Sequence, residues 1–359
     1  MTDRPLAASG PALADQDRFI GWWLALSAAM VFVMVIIGGV TRLTESGLSI
    51  VEWQPLAGTL PPLSEGAWQA LFEKYRQFPE YQQINAGMTL ADFKGIFWLE
   101  YIHRLWGRLI GLVFALPAIF FIAKGWLRGK LLGQVVVLFI LGGAQGALGW
   151  FMVKSGLVND PRVSPYRLTA HLLLALAVYG WLLWLALGRL RPNDGWTAVE
   201  GGFSPIARKL RAFTHPLALL VVLTIASGGF VAGLDAGLTY NTFPLMDGRF
   251  LPQGYATLSP FWHNLFENIP AVQFNHRWLA TSTALLLIAF ALFAKSKPLP
   301  QAARNATSAL LAMALIQPAL GIATLLTVVA IPLAALHQAG AVVLLGVLLW
   351  TMRTLKMKA

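Results

Sequence analysis

Two short segments place ionisable residues inside stretches that are otherwise apolar enough to enter a bilayer. In the first, FWLEYIHRLWGRLIG, these residues are Glu100, His103 and Arg104, and the second, VQFNHRWLATSTALL, repeats the pair as His276 and Arg277. Ionisable side chains cost several kcal/mol to insert into a membrane helix, so they indicate a functional site by default. Imidazoles bind metals and carboxylates exchange protons, and both kinds of chemistry are therefore candidates here.

Two further histidines, His171 and His337, lie at corresponding points of later apolar stretches. Within each half of the chain, two imidazoles can face one another inside a helical bundle, where cofactor sites are built from facing helices. Two opposed neutral nitrogens in an apolar, cysteine-free space suit haem with two axial histidines. Zinc or copper would recruit a third or fourth ligand. We therefore predict two haem pockets, one between His103 and His171 and one between His276 and His337.

A single histidine in a membrane helix is more often a hydrogen-bonded packing residue or part of a proton path than a haem ligand. The recurrence of four histidines at matched positions favours ligands. The remaining two do not share the pattern, since His215 starts a predicted helix and His263 stands beside Trp262 in a loop. Both are predicted not to be ligands.

The two predicted pockets differ in one group. Glu100 stands three residues before the histidine of the first segment, on the same helix face, whereas Gln273 stands at that position in the second. A carboxylate beside a haem pocket can move protons or stabilise positive charge, and an amide cannot titrate. We infer that the first half does chemistry and that the second holds a resident haem. A structural role for Glu100, as partner of Arg104 or Lys94, is the alternative.

Arg104 and Arg277 directly follow their histidines, so they project about 100° away around the helix. Each can snorkel toward the interface or pair with a haem propionate, since guanidinium suits carboxylates. Gln145 and Gln317, on other predicted helices, are expected to bridge helices rather than to reach a pocket.

The elements that must position these residues are membrane helices. With 57% hydrophobic residues, 12% charged residues and a mean hydropathy of +0.63, the 359-residue chain cannot form a soluble domain with a polar surface. A spanning helix needs about 20 mostly apolar residues. Eight stretches meet this requirement: 19–40, 97–123, 131–153, 166–188, 212–233, 273–294, 303–328 and 332–352.

The net charge of +11 is distributed as in a membrane protein. If the N-terminus is cytoplasmic, 16 of the 27 Lys and Arg residues fall on that side and eight on the other. This is the positive-inside bias, and it predicts both termini in the cytoplasm. A nucleic-acid site would instead cluster its charge on one face. Because the chain has no cysteine, it can form no disulfide, thioether haem attachment, thiolate site or iron–sulfur cluster.

The second half of the chain repeats the first. Four helices in each half is an even number, so the repeats share an orientation, unlike the inverted repeats of many transporters. The predicted fold is an all-α integral membrane protein whose eight helices form two pseudo-symmetric four-helix bundles: 19–188 and 212–352, with a tail at 1–18, a basic linker at 189–211 and a tail at 353–359. Besides the histidines, the aligned residues are Gly38-Gly39 with Gly228-Gly229, Glu45 with Asp235, Ser49 with Thr239, Gln145 with Gln317, and Trp184 with Trp350.

Residues 41–96, here called the outer segment, are too long to be a mere connector. Trp68, Leu71, Phe72 and Tyr75 follow helical spacing and form an amphipathic stripe. The stripe fits a helix on the bilayer surface or a lid over the outer ends of the second and fourth predicted spans. Both interpretations stay open at this point.

The quoted motifs resemble those of the haem A synthases, membrane enzymes related to the mitochondrial and bacterial cytochrome oxidase assembly factor. The resemblance covers essentially the whole chain and rests on GGVTRLTESGLSIVEWQP, LEYIHR, TAHLLLAL, FNHR and ALHQAG. It implies an enzyme that oxidises the C8 methyl of haem O to the formyl group of haem A by successive hydroxylations, using water-derived oxygen. It also implies a multi-pass location in the bacterial inner membrane, surrounded by lipid.

Carried over by motif, the resemblance implies that Glu100, His103 and His171 form the catalytic site with haem O as substrate. His276 and His337 would be axial ligands of a bound haem b. Some bacterial members carry a cysteine pair in the first outer loop, and its lack here places the chain in the cysteine-free branch. Expected partners are haem O synthase, an electron acceptor and a further copy of the chain.

Two other function classes fit the same residues. One is a two-haem membrane cytochrome that passes electrons from quinol to a partner. The other is a haem transporter or chaperone that binds haem without modifying it. Pure electron transfer gives no reason for a carboxylate at Glu100 and an amide at Gln273, so the difference favours the synthase.

Overall fold

The protein is described by a computed structural model that covers residues 11–52, 57–156, 163–191 and 204–356. Several predicted features lie outside these residues: most of the 1–18 tail, the end of the first long motif at 53–56, the linker residues 192–203 and the last residues, 357–359.

Within the described residues the chain is helical, without a β-strand, and eight helices are long and apolar enough to cross a membrane. The prediction of an all-α membrane protein with eight spanning helices is confirmed. The helices are α1 (Pro11–Leu43), α2 (Glu65–Tyr75), α3 (Pro79–Gln83), α4 (Leu90–Ala123), α5 (Gly129–Gly156), α6 (Pro165–Leu190), α7 (Ser204–Gly233), α8 (Ile269–Lys295), α9 (Gln301–Leu326) and α10 (Ile331–Thr354); the eight long ones are α1 and α4 to α10.

Several helices are longer than their apolar stretches predicted. α1 takes in residues 11–18 of the predicted tail, and α7 takes in residues 204–211 of the predicted linker. α4 begins at Leu90 because Thr89 and Asp92 form a capping box, in which each side chain accepts the other's backbone N–H. Hydropathy locates only the part of a helix that lies in hydrocarbon, so polar first turns escape it.

In each half the four spanning helices follow one another around a ring. α1, α4, α5 and α6 form the first ring, and α7, α8, α9 and α10 form the second. The halves meet through α1, α6, α7 and α10, and the main hydrophobic core lies around these inner helices. The close approach depends on glycine: a Cβ atom at Gly39 would overlap Gln338, and one at Gly229 would come within 2.8 Å of Thr169 Oγ1.

The two rings are not equally tight. α9 packs along much of α8 and α10, whereas α5 contacts its neighbours α4 and α6 more sparingly. The first half is therefore the looser one, and the looseness lies on both sides of α5.

The outer segment packs on the extension of α4. Trp68, Phe72 and Tyr75 of α2 are buried against the aromatic residues of α4. Tyr75 lies 5.1 Å from Phe93 and Trp68 lies edge-on to Phe97 at 4.9 Å, both measured between ring centroids. The amphipathic stripe is thus covered by protein rather than by lipid. α2 forms a cap over the end of α4, which is the first of the two helices named in the lid interpretation.

Candidate functional site

Each of the four repeated histidines lies against a glycine of the preceding spanning helix. A Cβ atom built on any of these glycines would come within 2.9 to 3.3 Å of an imidazole atom. Glycine therefore makes room for the ring at each position, as it does where groups approach a backbone closely. The pairs are Gly38 with His103, Gly149 with His171, Gly228 with His276, and Gly321 with His337.

The histidines also associate in the predicted pairs. His103 lies within electrostatic range of His171, and His276 bears the same relation to His337. All four side chains are partly buried. Each ring of helices thus carries two imidazoles on its second and fourth members, and neither pair is spread over both halves.

Glu100 lies one turn before His103 and is almost completely buried, with 2% of the residue exposed. Its Oε2 accepts hydrogen bonds from Ser49 Oγ and from the backbone N–H of Ile50, both at 2.7 Å. Its Oε1 accepts from Arg104 Nε at 3.0 Å and Nη2 at 2.5 Å. A buried carboxylate needs such partners to stay charged. The site holds this acid in one orientation by four donors.

Arg104 also joins α4 to the outer segment. Its Nη2 donates to the carbonyl of Ile50 at 2.8 Å and its Nη1 to the carbonyl of Glu52 at 3.2 Å. The ion pair with Glu100 was one of the alternatives that the sequence left open, whereas Lys94 pairs with Glu65 at 2.9 Å. The sequence analysis considered snorkelling and propionate binding for Arg104, and it did not predict these bonds to loop carbonyls.

Gln273 takes the place of Glu100 in the second half and is equally buried. Its Nε2 donates to the carbonyls of Ala236 at 2.7 Å and Thr239 at 2.5 Å, and its Oε1 accepts from Arg277 Nη2 at 3.0 Å. The same helix position is thus tied to the loop before it in both halves, but the loop donates hydrogen bonds to Glu100 and accepts them from Gln273. The difference is one of charge: the first half holds a carboxylate and the second a neutral amide.

Arg277 repeats the loop contacts of Arg104. It donates to the carbonyls of Tyr240 and Thr242, which align with Ile50 and Glu52 at the offset of the repeat. The Nε of Arg277 is buried and has no hydrogen-bond partner in the described part of the chain. This N–H is available to an acceptor that the protein itself does not provide.

The glutamines of α5 and α9 bridge helices, as the sequence predicted. Gln145 Nε2 donates to the carbonyl of His171 at 3.0 Å, and Gln317 Nε2 donates to that of His337 at 2.8 Å. Each bond ties a histidine-bearing turn to the helix that supplies its glycine. The backbone position of both histidines is therefore set by a neighbour.

A small cleft opens beside Glu100, where α4, α5 and the outer segment meet. It has a volume of about 80 Å³ and contains two cationic side chains, Arg104 and Lys154. Lys154 lies over the ring of Trp150, with its Nζ 5.0 Å from the ring centroid. The cleft therefore joins the acid site to the loosely packed side of α5. The lining is completed by Ile50, Val51, Glu52 and Val153.

The two other histidines lie outside these pairs. His215 Nδ1 contacts the carbonyl of Arg211 at 2.9 Å on an exposed face, and His263 Nδ1 contacts Glu267 Oε2 at 2.9 Å. Sequence reasoning missed Ser49 and the loop carbonyls as parts of the site. The alignment of Ser49 with Thr239 was the signal that could have found them, since both follow the first helix of a repeat.

The sequence profile of the cytochrome oxidase assembly proteins, COX15-CtaA, matches residues 21–349. The chain belongs to this family. The match extends over all eight spanning helices and includes Glu100, Gln273 and the four paired histidines.

Curated relatives cover nearly the whole chain. A protein of Nitrosospira multiformis named heme A synthase is 50% identical over 355 residues, which are 99% of this chain and 96% of the relative. One of Rhodospirillum centenum with the same name is 49% identical over 97% of this chain and 92% of the relative. In Bos taurus, heme A synthase COX15 is 47% identical over 95% of this chain and 83% of the relative.

Proposed function

We propose that the chain is a haem A synthase, which oxidises the C8 methyl group of haem O to the formyl group of haem A. The relatives described above support an enzyme of haem A biosynthesis. The observation that carries the reaction is the pair Glu100 and Gln273: the same helix position, with an arginine four residues later, holds a carboxylate in one half and an amide in the other. The alternative of a two-haem electron-transfer cytochrome gains no support from the comparisons.

In this proposal His103 and His171 hold the haem O substrate, and His276 and His337 hold a resident haem b. The donor sets fit these groups: each half pairs two imidazoles, each imidazole has a glycine beside it, and Arg277 Nε offers an unused donor. Such an N–H suits a propionate oxygen. When bound, haem b supplies one-electron transfer.

Glu100 acts as the proton acceptor of the reaction. Each hydroxylation with a water-derived oxygen replaces a C–H bond by a C–O bond. Two protons are released, and two electrons pass from the substrate to an acceptor. A carboxylate within reach of the reacting group can take such a proton. Ser49 and the Ile50 N–H fix the orientation of one carboxylate oxygen, and Arg104 fixes the other. Arg104 also offsets the charge, so the acid is not buried as an unpaired ion.

The cleft beside α5 is the proposed route of the substrate. Arg104 and Lys154 present positive charge there, which suits the propionates of a porphyrin. The looser packing of α5 against α4 and α6 leaves this side of the first half easier to part than the matching side of the second. With both termini cytoplasmic in a bacterial inner membrane, Glu100 and the cleft lie toward the outer side.

The experiment that tests the proposal is Glu100→Gln, because a buried glutamine, Gln273, already occupies the corresponding helix position in the second half. The variant should fold and retain haem b while haem A production falls to background, since the amide keeps the size of the side chain and one oxygen for Arg104 but cannot accept a proton. Haems extracted from the purified protein and separated by chromatography give the result.

Glu73→Gln, which neutralises a half-exposed carboxylate of the outer segment, is the matched control, and it should leave haem A production in place. Undiminished haem A in Glu100→Gln would refute the role of this carboxylate. Haem b at both sites of the wild-type protein, without haem O or its oxidised derivatives, would favour the cytochrome instead.

A further inference from the structure

One imidazole in the second half has its tautomer set by the protein. Ser227 Oγ lies 2.8 Å from His276 Nδ1, and the same hydroxyl donates its proton to the carbonyl of Thr224 at 2.8 Å. A hydroxyl has one proton to donate. With the hydroxyl proton directed at the Thr224 carbonyl, Ser227 Oγ is an acceptor for His276, and in this arrangement the Nδ1 of His276 carries the hydrogen. The Nε2 lone pair of His276 is left free to bind a metal.

The first half lacks this arrangement. Ser227 directly precedes Gly228, and at the offset of the repeat its position is taken by Ile37, which directly precedes Gly38. An isoleucine side chain can accept no hydrogen bond. The other imidazole of the first half, His171, has a buried Nδ1 without a partner in the described residues, whereas Gln317 Nε2 lies 3.2 Å from the Nδ1 of its counterpart His337. The two halves therefore differ in the hydrogen bonds made to their imidazoles, as well as in the charge at Glu100 and Gln273.

We propose that Ser227 is a positioning residue that makes the second site a permanent haem site, and that Ile37 in its place makes the first site releasable. The inference rests on the proposed function, because it takes His276 as a ligand of resident haem b and His103 as a ligand of the substrate. An enzyme that modifies a haem must release it, whereas a resident haem must stay.

The expected size of the effect follows from outer-shell hydrogen bonds in general. A partner on the second ring nitrogen fixes the orientation of a ligating histidine and raises its basicity, and its loss lowers metal affinity about 10- to 100-fold. A more basic ligand also favours the oxidised iron, so the bond should lower the reduction potential of the haem.

The test uses full-length protein purified with its resident haem, in the wild-type form and as Ser227→Ala and Ser227→Thr. Excess apomyoglobin serves as the haem acceptor, and the transfer of haem b is followed by absorbance. Ser227→Ala should lose haem roughly 10-fold faster, at the lower end of the range for outer-shell partners. Its midpoint potential should rise, and Ser227→Thr, which keeps the hydroxyl, should restore both values.

The reciprocal change is Ile37→Ser, with Ile36→Ser as the matched control on the adjacent position. Ile37→Ser should slow the transfer of haem O from the first site to apomyoglobin, and Ile36→Ser should not. Equal haem loss from wild type and Ser227→Ala, or equal release from the two α1 variants, would overturn the inference and leave the proposed function intact. Wild-type protein purified without haem b would overturn both.

Discussion

At the scale of single residues, the two halves differ in the side chain at one corresponding helix position. Glu100 and Gln273 have the same size, sit at the same helix position and contact an arginine four residues later. The carboxylate could be singled out as a candidate from residue type and spacing alone. The bonds that hold it could not, because Ser49 and the Ile50 N–H reach it only through the fold of a loop about 50 residues earlier in the chain.

The glycines beside the histidines give a test at the same scale. Gly149→Ala places a Cβ atom about 3.1 Å from His171 Cε1, whereas a Cβ at Gly146, one turn earlier on α5, meets nothing within 4 Å. Gly149→Ala should weaken haem O binding roughly 10-fold by turning the imidazole, as for a disturbed ligand orientation. Gly146→Ala should bind normally. Titration of the purified protein with haem O measures both, and equal affinities would show that the glycine is not needed.

At the scale of elements, the outer segment is a small folded unit. Hydrophobic spacing predicted α2 and its apolar side, but the partner of that side could not be read from spacing, since lipid and protein bury a stripe equally well. The structure covers it with Phe93, which lies in the part of α4 that precedes the predicted stretch, and with Phe97, the first residue of that stretch. The same unit contains Glu80, which is 3% exposed and lies near the buried Tyr75.

Burial raises the pKa of Glu80 from 4.5 to about 8, and the nearby carboxylates of Glu100 and Glu45 add to the shift. Because folding raises this pKa, Glu80 stabilises the folded state below pH 4.5. This contribution to stability is lost as the pH rises through about 8. Glu80→Gln keeps a neutral side chain at every pH. Its melting temperature should therefore exceed that of the wild type by a margin that grows between these two pH values.

Thermal unfolding of the detergent-solubilised protein, scanned across this pH range, measures the margin. Glu73→Gln is the control, because Glu73 is a half-exposed carboxylate of the same outer segment, paired with Arg76. A margin for Glu80→Gln that stays constant with pH would mean that this carboxyl group is not protonated in the folded protein.

At the scale of the whole molecule, the eight spans were predictable because hydrocarbon imposes a length and a composition on any helix that crosses it. The inner position of α1, α6, α7 and α10 was not, because glycine pairs such as Gly39 with Gln338 and Gly229 with Thr169 have no signature in hydropathy.

The absence of cysteine from the chain makes its orientation directly testable. Gln69→Cys places a single thiol on the exposed face of α2, and Gln301→Cys places one at the exposed start of α9. If the termini are cytoplasmic, a membrane-impermeant maleimide added to spheroplasts should label Gln69→Cys and should reach Gln301→Cys only after lysis. The reverse pattern would invert the topology and put Glu100 on the cytoplasmic side.

The sparing contacts of α5 bear on how the product travels. A porphyrin that leaves between α5 and its neighbours moves sideways into hydrocarbon and does not pass through water. Its hand-over to the oxidase is then a matter of two-dimensional diffusion and encounter, and no soluble carrier has to shield it on the way.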